Sequence, residues 1–244
     1  MKKIISLCAV LLSAALYAAE VPAPIVDLPL NEGKFEEIRD YAPGKAKVRI
    51  SYPEKLKWVE GPDGQALYFD CSYANAKRGT INVWMPRNFD LSKGYTFSLL
   101  IRPDEDMPKK GQTYIFKYAD SNAKDPGVQL FISWYMLWHR TGTSAKEMFN
   151  LQTKTSVRSI TGGNWYNVVM TFDGKIAKTY VDGVLANSMP LKVETPKKVS
   201  VLRIGASADS GPGYGFKGII SNFKVFDRAL TDAEIAALCR KDEE

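Results

Sequence analysis

Asn164-Trp165-Tyr166-Asn167-Val168-Val169-Met170-Thr171-Phe172-Asp173-Gly174, continuing through Lys175 to Tyr180 into Val181-Asp182-Gly183-Val184, is the stretch that decides the fold. Two runs alternate apolar and polar residues, and each closes on an Asp-Gly pair. Alternation with a period of two turns one side of a strand to a core and the other outward. Asp-Gly supplies the positive φ angles of a tight hairpin turn. The stretch therefore predicts an antiparallel meander opened by Trp165.

The same pattern recurs on both sides of it. Strand-like segments run roughly over Ala66–Cys71, Thr80–Met85, Tyr95–Arg102, Thr113–Tyr118, Val128–Trp134 and Tyr135–Arg140. They continue over Glu147–Thr153, Trp165–Phe172, Ile176–Val181, Val199–Ile204 and Phe216–Phe226. Pro103-Asp104, Asp125-Pro126-Gly127, Gly162-Gly163 and the two Asp-Gly pairs punctuate them. Many short strands without a linker or low-complexity tract predict one all-β domain, a two-sheet antiparallel sandwich. One helix is signalled, at the end. Thr231 is its N-cap, Glu234 completes a capping box, and Leu230 staples onto Ile235. Ile235 and Leu238 should dock it on the sandwich.

The N-terminus reads as an export signal. Lys2 and Lys3 precede the apolar run Ile4 to Leu16, and Ala18 offers a cleavage position. The expectation is a signal peptide over residues 1–18 and a single domain over 19–244, secreted, periplasmic or on the cell surface. No second apolar stretch is long enough to cross a bilayer. Removing Lys2 and Lys3 from the formal charge of +6 leaves about +4, spread along the chain. Lys109-Lys110 and Lys197-Lys198 are only pairs, so the clustered patch of a nucleic-acid binder is missing.

Of three cysteines, Cys8 falls within the signal, leaving Cys71 and Cys239. An oxidising compartment permits a disulfide between them, which would clamp the helix end to an early strand. There is no CxxC spacing, and His139 is the single histidine, so neither a zinc cluster nor a thiol nucleophile with its base is indicated.

Several segments, in order, carry a resemblance to the laminin-G-like jelly rolls of the concanavalin A-like lectin/glucanase superfamily. Val26-Asp27-Leu28-Pro29-Leu30 resembles the opening strand and Gly64 to Asp70 the second. Tyr95 to Pro103 resembles the "fT-x-s-x-W-v-r-p" strand, with Leu100 at the usual Trp. Trp165 to Gly183 resembles the central hairpin, and Gly218 to Ile235 the closing strand and helix. Ser221-Asn222 stands where the family often has an acidic residue, so no acidic contact is carried over from that position. The resemblance implies a jelly roll with a short C-terminal helix. That fold serves lectins, binding modules, adhesion modules, glycosidases and lyases, so function must be argued from residues.

Glycosidases of this fold carry paired carboxylates on one strand, E-x-D-x-E or E-x-D-x-x-E, and the chain has no such pattern. Asp104-Glu105-Asp106 lies between Pro103 and Pro108 and reads as a turn. Glu147 has no acidic partner two or four residues on. Lyases of the fold use His and Tyr beside Arg and Gln. A groove wall of Gln129, Tyr135, His139 and Arg140 is the material for that alternative, with His139 or Tyr135 as the catalytic group.

The aromatic cluster Phe131, Trp134, Tyr135 and Trp138 is the foremost candidate for a ligand, because sugar rings stack on exposed aromatic faces while polar neighbours read hydroxyls. Trp134 and Trp138 lie near a hairpin tip that can face either way. The candidate ligand-binding residues are Gln129, Trp134, Tyr135, Trp138 and Arg140. The loop Ser207 to Gly215 is a candidate rim. Calcium is a candidate cofactor, with Asp70, Asn75, Asp209 and Asp227 as oxygen ligands by residue type alone. The expected function is a secreted, non-catalytic glycan- or polysaccharide-binding module. A polysaccharide lyase is the first alternative. An envelope adhesion module contacting cell-surface proteins is the second.

Overall fold

The structure is a computed structural model. It describes residues 19–70, 77–107, 111–119, 127–144, 146–154, 159–192, 194–196, 199, 201–206 and 215–240. Fifteen strands are found among them. They are β1 (Val26–Leu28), β2 (Lys47–Ser51), β3 (Leu56–Gly61), β4 (Gly64–Asp70), β5 (Thr80–Trp84), β6 (Tyr95–Pro103), β7 (Thr113–Ala119) and β8 (Gly127–Ser133). There follow β9 (Met136–Gly142), β10 (Met148–Gln152), β11 (Tyr166–Phe172), β12 (Ile176–Val181), β13 (Val184–Pro190), β14 (Val201–Ile204) and β15 (Lys217–Phe226), then helix α1 (Asp232–Leu238).

They form two sheets, every pairing antiparallel. One has eight strands in the order β13-β12-β11-β6-β15-β4-β3, with β1 also on β15. The other has seven, in the order β10-β9-β8-β7-β14-β5-β2. The long β15 takes β6 along one side; its first half pairs with β4 and its second with β1 on the other. The chain's first and last strands are thus neighbours, which fits the jelly roll implied by the resemblance.

The predicted meander is present. β11 and β12 pair from Val168 opposite Val181 to Phe172 opposite Ala177. Asp182 and Gly183 both have positive φ, 52° and 77°, the mark of a type I′ turn. The core lies between the sheets. Phe97 of β6 stacks on Phe116 of β7 at 4.9 Å, and Phe223 of β15 meets Phe116 edge-on at 5.4 Å. Removing such a ring would cost about 3–5 kcal/mol.

Ser221-Asn222 falls at a bulge in the β15–β6 ladder. Asn222 has φ 51°, a left-handed geometry that Asn tolerates, and its N–H bonds to Pro29 O at 2.8 Å. The substituted position therefore serves the backbone.

The helix forms as its caps predict. Thr231 Oγ1 accepts the Glu234 N–H, and Glu234 Oε2 accepts the Thr231 N–H at 2.8 Å. Leu230 and Ile235 are buried together with Val169, Tyr180 and Phe226. These residues place α1 on the outer face of the eight-stranded sheet. Tyr180 donates to Asp232 Oδ1 at 2.6 Å, and Thr96 Oγ1 holds the incoming chain through Arg228 O and Leu230 N. The outer face of the seven-stranded sheet has no such helix on it among the described residues.

The expected disulfide is not made by Cys239. It carries a free thiol beside Gly183, and burial pushes its pKa up to about 11. Cys71 lies outside the described residues, as does the signal segment 1–18. β2, β3 and β13 are strands beyond the predicted set.

Candidate functional site

The site grows from the β8–β9 hairpin. Alternation along β8 sends Val128, Leu130 and Ile132 to the core and Gln129, Phe131 and Ser133 to the outer side. Register carries the split onto β9: Gln129 faces Arg140, Phe131 faces Trp138, and Leu130 faces His139.

The turn between the strands is Trp134-Tyr135, with φ of 52° and 62°. A two-residue turn with both central residues left-handed is normally made by Asn-Gly. Here two bulky aromatics hold it, at about 1–2 kcal/mol of steric cost each. Tyr135 O is anchored by the Ile160 N–H at 2.8 Å. Trp134 is 53% exposed.

Behind the turn, Tyr114, Phe131 and Trp138 form an aromatic shelf. Phe131 and Trp138 are stacked at 5.8 Å and 9°, and Tyr114 meets Phe131 at 5.1 Å. The Trp138 indole N–H bonds to Ser133 O at 3.3 Å. Arg140 lies with its guanidinium 4.5 Å over the Phe131 ring. Its Nε donates to Asn150 Oδ1 at 2.7 Å and its Nη1 to Tyr114 Oη at 3.3 Å, while Tyr114 donates to Gln112 Oε1 at 2.6 Å. Every one of these partners is neutral.

One cross-strand row runs the width of the sheet through this site. Arg49 stands opposite Asn82, Asn82 opposite Arg203, and Arg203 opposite Lys117. The row passes on through Gln129 and Arg140 to Asn150. The neighbouring row, with Ile81, Ile204, Phe116, Leu130 and Leu151, is core.

Of the sequence-stated candidates, the structure brings Trp134, Trp138 and Arg140 to one accessible region. Tyr135 shares the turn. Gln129 is on the same side but only 3% exposed. His139 is elsewhere: it occupies the core row, has no exposure, and shares a 2.8 Å hydrogen bond with Tyr95 of the opposite sheet. Burial pushes its pKa down to about 3 and keeps it neutral. The groove wall of Gln129, Tyr135, His139 and Arg140 is therefore split across two faces. Consecutive residues of a strand point in opposite directions, so His139 cannot join both of its neighbours Trp138 and Arg140.

The two calcium candidates among the described residues, Asp70 and Asp227, do not converge. Asp70 pairs with Lys217 at the start of β15, whereas Asp227 follows its end, roughly 30 Å away at strand rise. Asn75 and Asp209, with most of the Ser207–Gly215 loop, lie outside the described residues. Among the described residues no group of three or more His, Cys, Asp or Glu is placed to hold a metal.

Asp104-Glu105-Asp106 is a turn, as read, but it also lines a cleft of about 650 Å³ on the eight-stranded sheet, with Tyr68, Arg102 and Lys217. Tyr68 donates to Asp104 Oδ2 at 2.8 Å, and Lys217 Nζ reaches Asp106 at 2.5 Å and Asp104 at 3.6 Å. Burial, then the Asp104 bond, raises the Tyr68 pKa; the Asp106 bond raises that of Lys217. This cleft depends on pairing between distant strands, and the linear pattern of charges carried no signal for it.

A two-sheet jelly roll with an aromatic and basic outer face is thus the class of protein defined here. The chain belongs to the concanavalin A-like lectin/glucanases superfamily, whose laminin G-type model matches residues 75–236. No curated protein matches it. Among solved structures it is similar to the binding domain of Paraclostridial Mosquitocidal Protein 1, at 16% identity and a TM-score of 0.69, over 89% of this chain and 52% of that one. It is likewise similar to the botulinum neurotoxin serotype D/C binding domain, at 16% identity and TM-score 0.69, over 89% and 51%. A third is botulinum neurotoxin type C, whose cell entry depends on interaction with two ganglioside molecules, at 15% and 0.69, over 89% and 50%. The chain spans about half the length of these structures. At such identities the likeness is one of fold.

Proposed function

We propose that the protein is an exported, non-catalytic glycan-binding module, acting outside the cytoplasm or at the cell surface. Its binding face is the outer side of the seven-stranded sheet around Trp134, Tyr135, Trp138 and Arg140. The observation that carries this is the turn: an exposed tryptophan in a backbone conformation that favours Asn or Gly. Strain of this kind persists where the surroundings hold it, and it clusters at binding sites. Trp138, partly exposed and stacked on the buried Phe131, offers an apolar platform beside it, and Arg140 a polar reader. The similar folds lend support in kind. One botulinum neurotoxin DC binding domain is known in complex with SialylT, and type C interacts with gangliosides. No helix among the described residues is long and apolar enough to cross a membrane.

Affinity electrophoresis through gels containing soluble polysaccharides tests the reading. Retardation by at least one polymer is expected, lost in Trp134→Ala and reduced in Trp138→Ala while the circular dichroism of both stays native. Unchanged retardation in both variants would move the site elsewhere.

A protein-contact reading rests on a different surface. Val184, Leu185 and Met189 on edge strand β13, with Ile176 beside them, are exposed apolar side chains. A partner held there would be released by Val184→Lys, and Trp134→Ala would leave it bound.

A further inference from the structure

The strands of the two sheets differ in their acidic residues. The strands of the seven-stranded sheet carry Lys47, Arg49, Lys117, Arg140 and Arg203 and not one Asp or Glu. The strands of the eight-stranded sheet also carry five cations, Lys57, Arg102, Lys178, Lys217 and Lys224, but have Asp27, Glu60 and Asp70 among them, and Lys178, Lys217 and Lys224 are paired with Asp232, Asp106 and Asp27. The strand bases are shared equally between the sheets, and it is the strand acids that fall on one of them alone.

Arg140 stands on the sheet whose strands lack acids, beside the stacked Phe131 and Trp138. Stacking on Phe131 and bonds to Asn150 and Tyr114 fix its plane without neutralising it. Among the described residues no carboxylate pairs with it, and two of the five guanidinium donors are engaged. A planar, pre-oriented fork of this kind matches the two oxygens of a carboxylate or sulfate. Arg49 and Lys47 are exposed toward the opposite edge, while Lys117 is buried. Sugar rings stack on aromatic faces whatever their charge, so Trp134 and Trp138 alone do not select; the fork beside them does.

We infer that the glycan is acidic: a polysaccharide bearing carboxylate or sulfate groups, whose anion sits on Arg140 while its ring packs against Trp138 and Trp134. This rests on the glycan-binding reading above and adds the substrate class.

The test compares the full-length protein in gels of polygalacturonate and alginate (carboxylate), heparin (sulfate), and dextran and xyloglucan (neutral). Acidic polymers should retard it at least tenfold more strongly at equal mass, and 0.5 M NaCl should weaken that retardation. Whichever acidic arm responds identifies the anion. Arg140→Gln should reduce acidic binding about tenfold, Arg140→Lys should restore part of it, and Lys217→Gln on the other sheet should change nothing. Should Arg140→Gln lose its native circular dichroism, the exposed Arg49→Gln replaces it, with a smaller loss and a shallower salt dependence expected. Equal retardation by neutral polymers, or full acidic binding in a folded Arg140→Gln, would overturn the acidic class and leave the glycan reading standing. Retardation of the wild type by no polymer would overturn both.

Discussion

His139 shows how one side chain sets a whole-protein property without touching a ligand. It is buried and neutral, bonded to Tyr95 across the sandwich, with no partner at Nδ1 among the described residues. Its pKa falls from the ordinary 6.5 to about 3. Below pH 6.5 the unfolded chain takes up a proton that the folded chain refuses. Stability is therefore complete above that pH and is lost as pH falls from 6.5 toward 3, at up to about 1.4 kcal/mol per pH unit. His139→Phe should flatten this dependence by one proton. Urea midpoints from pH 7 to 4 check it, and parallel wild-type and variant curves would show that His139 does not titrate differently on folding. The same residue marks where sequence reading stops. Trp138, His139 and Arg140 are adjacent letters of similar usefulness to a binding site. Only the register with Leu130, a known core residue, shows which of them turns inward.

At the scale of elements, the β8–β9 turn gives the sharpest expectation. Trp134→Asn with Tyr135→Gly would relieve two left-handed residues. The fold should gain about 2 kcal/mol, roughly 5 °C in Tm for a domain of this size, while polysaccharide retention disappears. Thermal unfolding followed by circular dichroism measures the first effect; an unchanged or lower Tm would mean that the turn is not strained. The place of the turn was legible, as the break between Val128–Trp134 and Tyr135–Arg140; its left-handed geometry was not, because no Gly, Asn or Pro stands there. β11, β12 and α1 were legible, since their turns and caps use the residues that physics favours there. β13 was not: Val184-Leu185-Ala186 has no alternation, and Pro190 argues against a strand. It is a strand because β12 offers it a ladder, with a register shift at Thr179 and Tyr180 to accommodate it.

On the scale of the molecule, stability should follow position in the sheets. β6 is paired on both sides, with β11 and β15, and carries the buried Phe97, Leu99 and Ile101. Hydrogen exchange should be slowest there and fastest along the edge β13, where most side chains are exposed. Faster exchange in β6 than in β13 would contradict the strand order. The sorting of strand acids between sheets belongs to this scale too. Arg49, Arg203, Lys117 and Arg140 are scattered over about 150 positions of sequence, and β5, β14 and β7 must come together before they fall in one row. The composition recorded a mild, diffuse positive charge; folding leaves the strands of one sheet with no carboxylate to offset it.

The placement of α1 has a bearing on how the protein would be held. Val21, near the start of the domain, packs against the same buried cluster of Val169, Tyr180, Phe226, Leu230 and Ile235 as Leu238 and Cys239 do, on the outer face of the eight-stranded sheet. Both ends of the described chain thus leave from one corner, with the full thickness of the sandwich between them and the Trp138–Arg140 face. A tether fused to either end would hold the molecule from behind, like a mirror on its bracket, with its recognition surface turned to the surroundings.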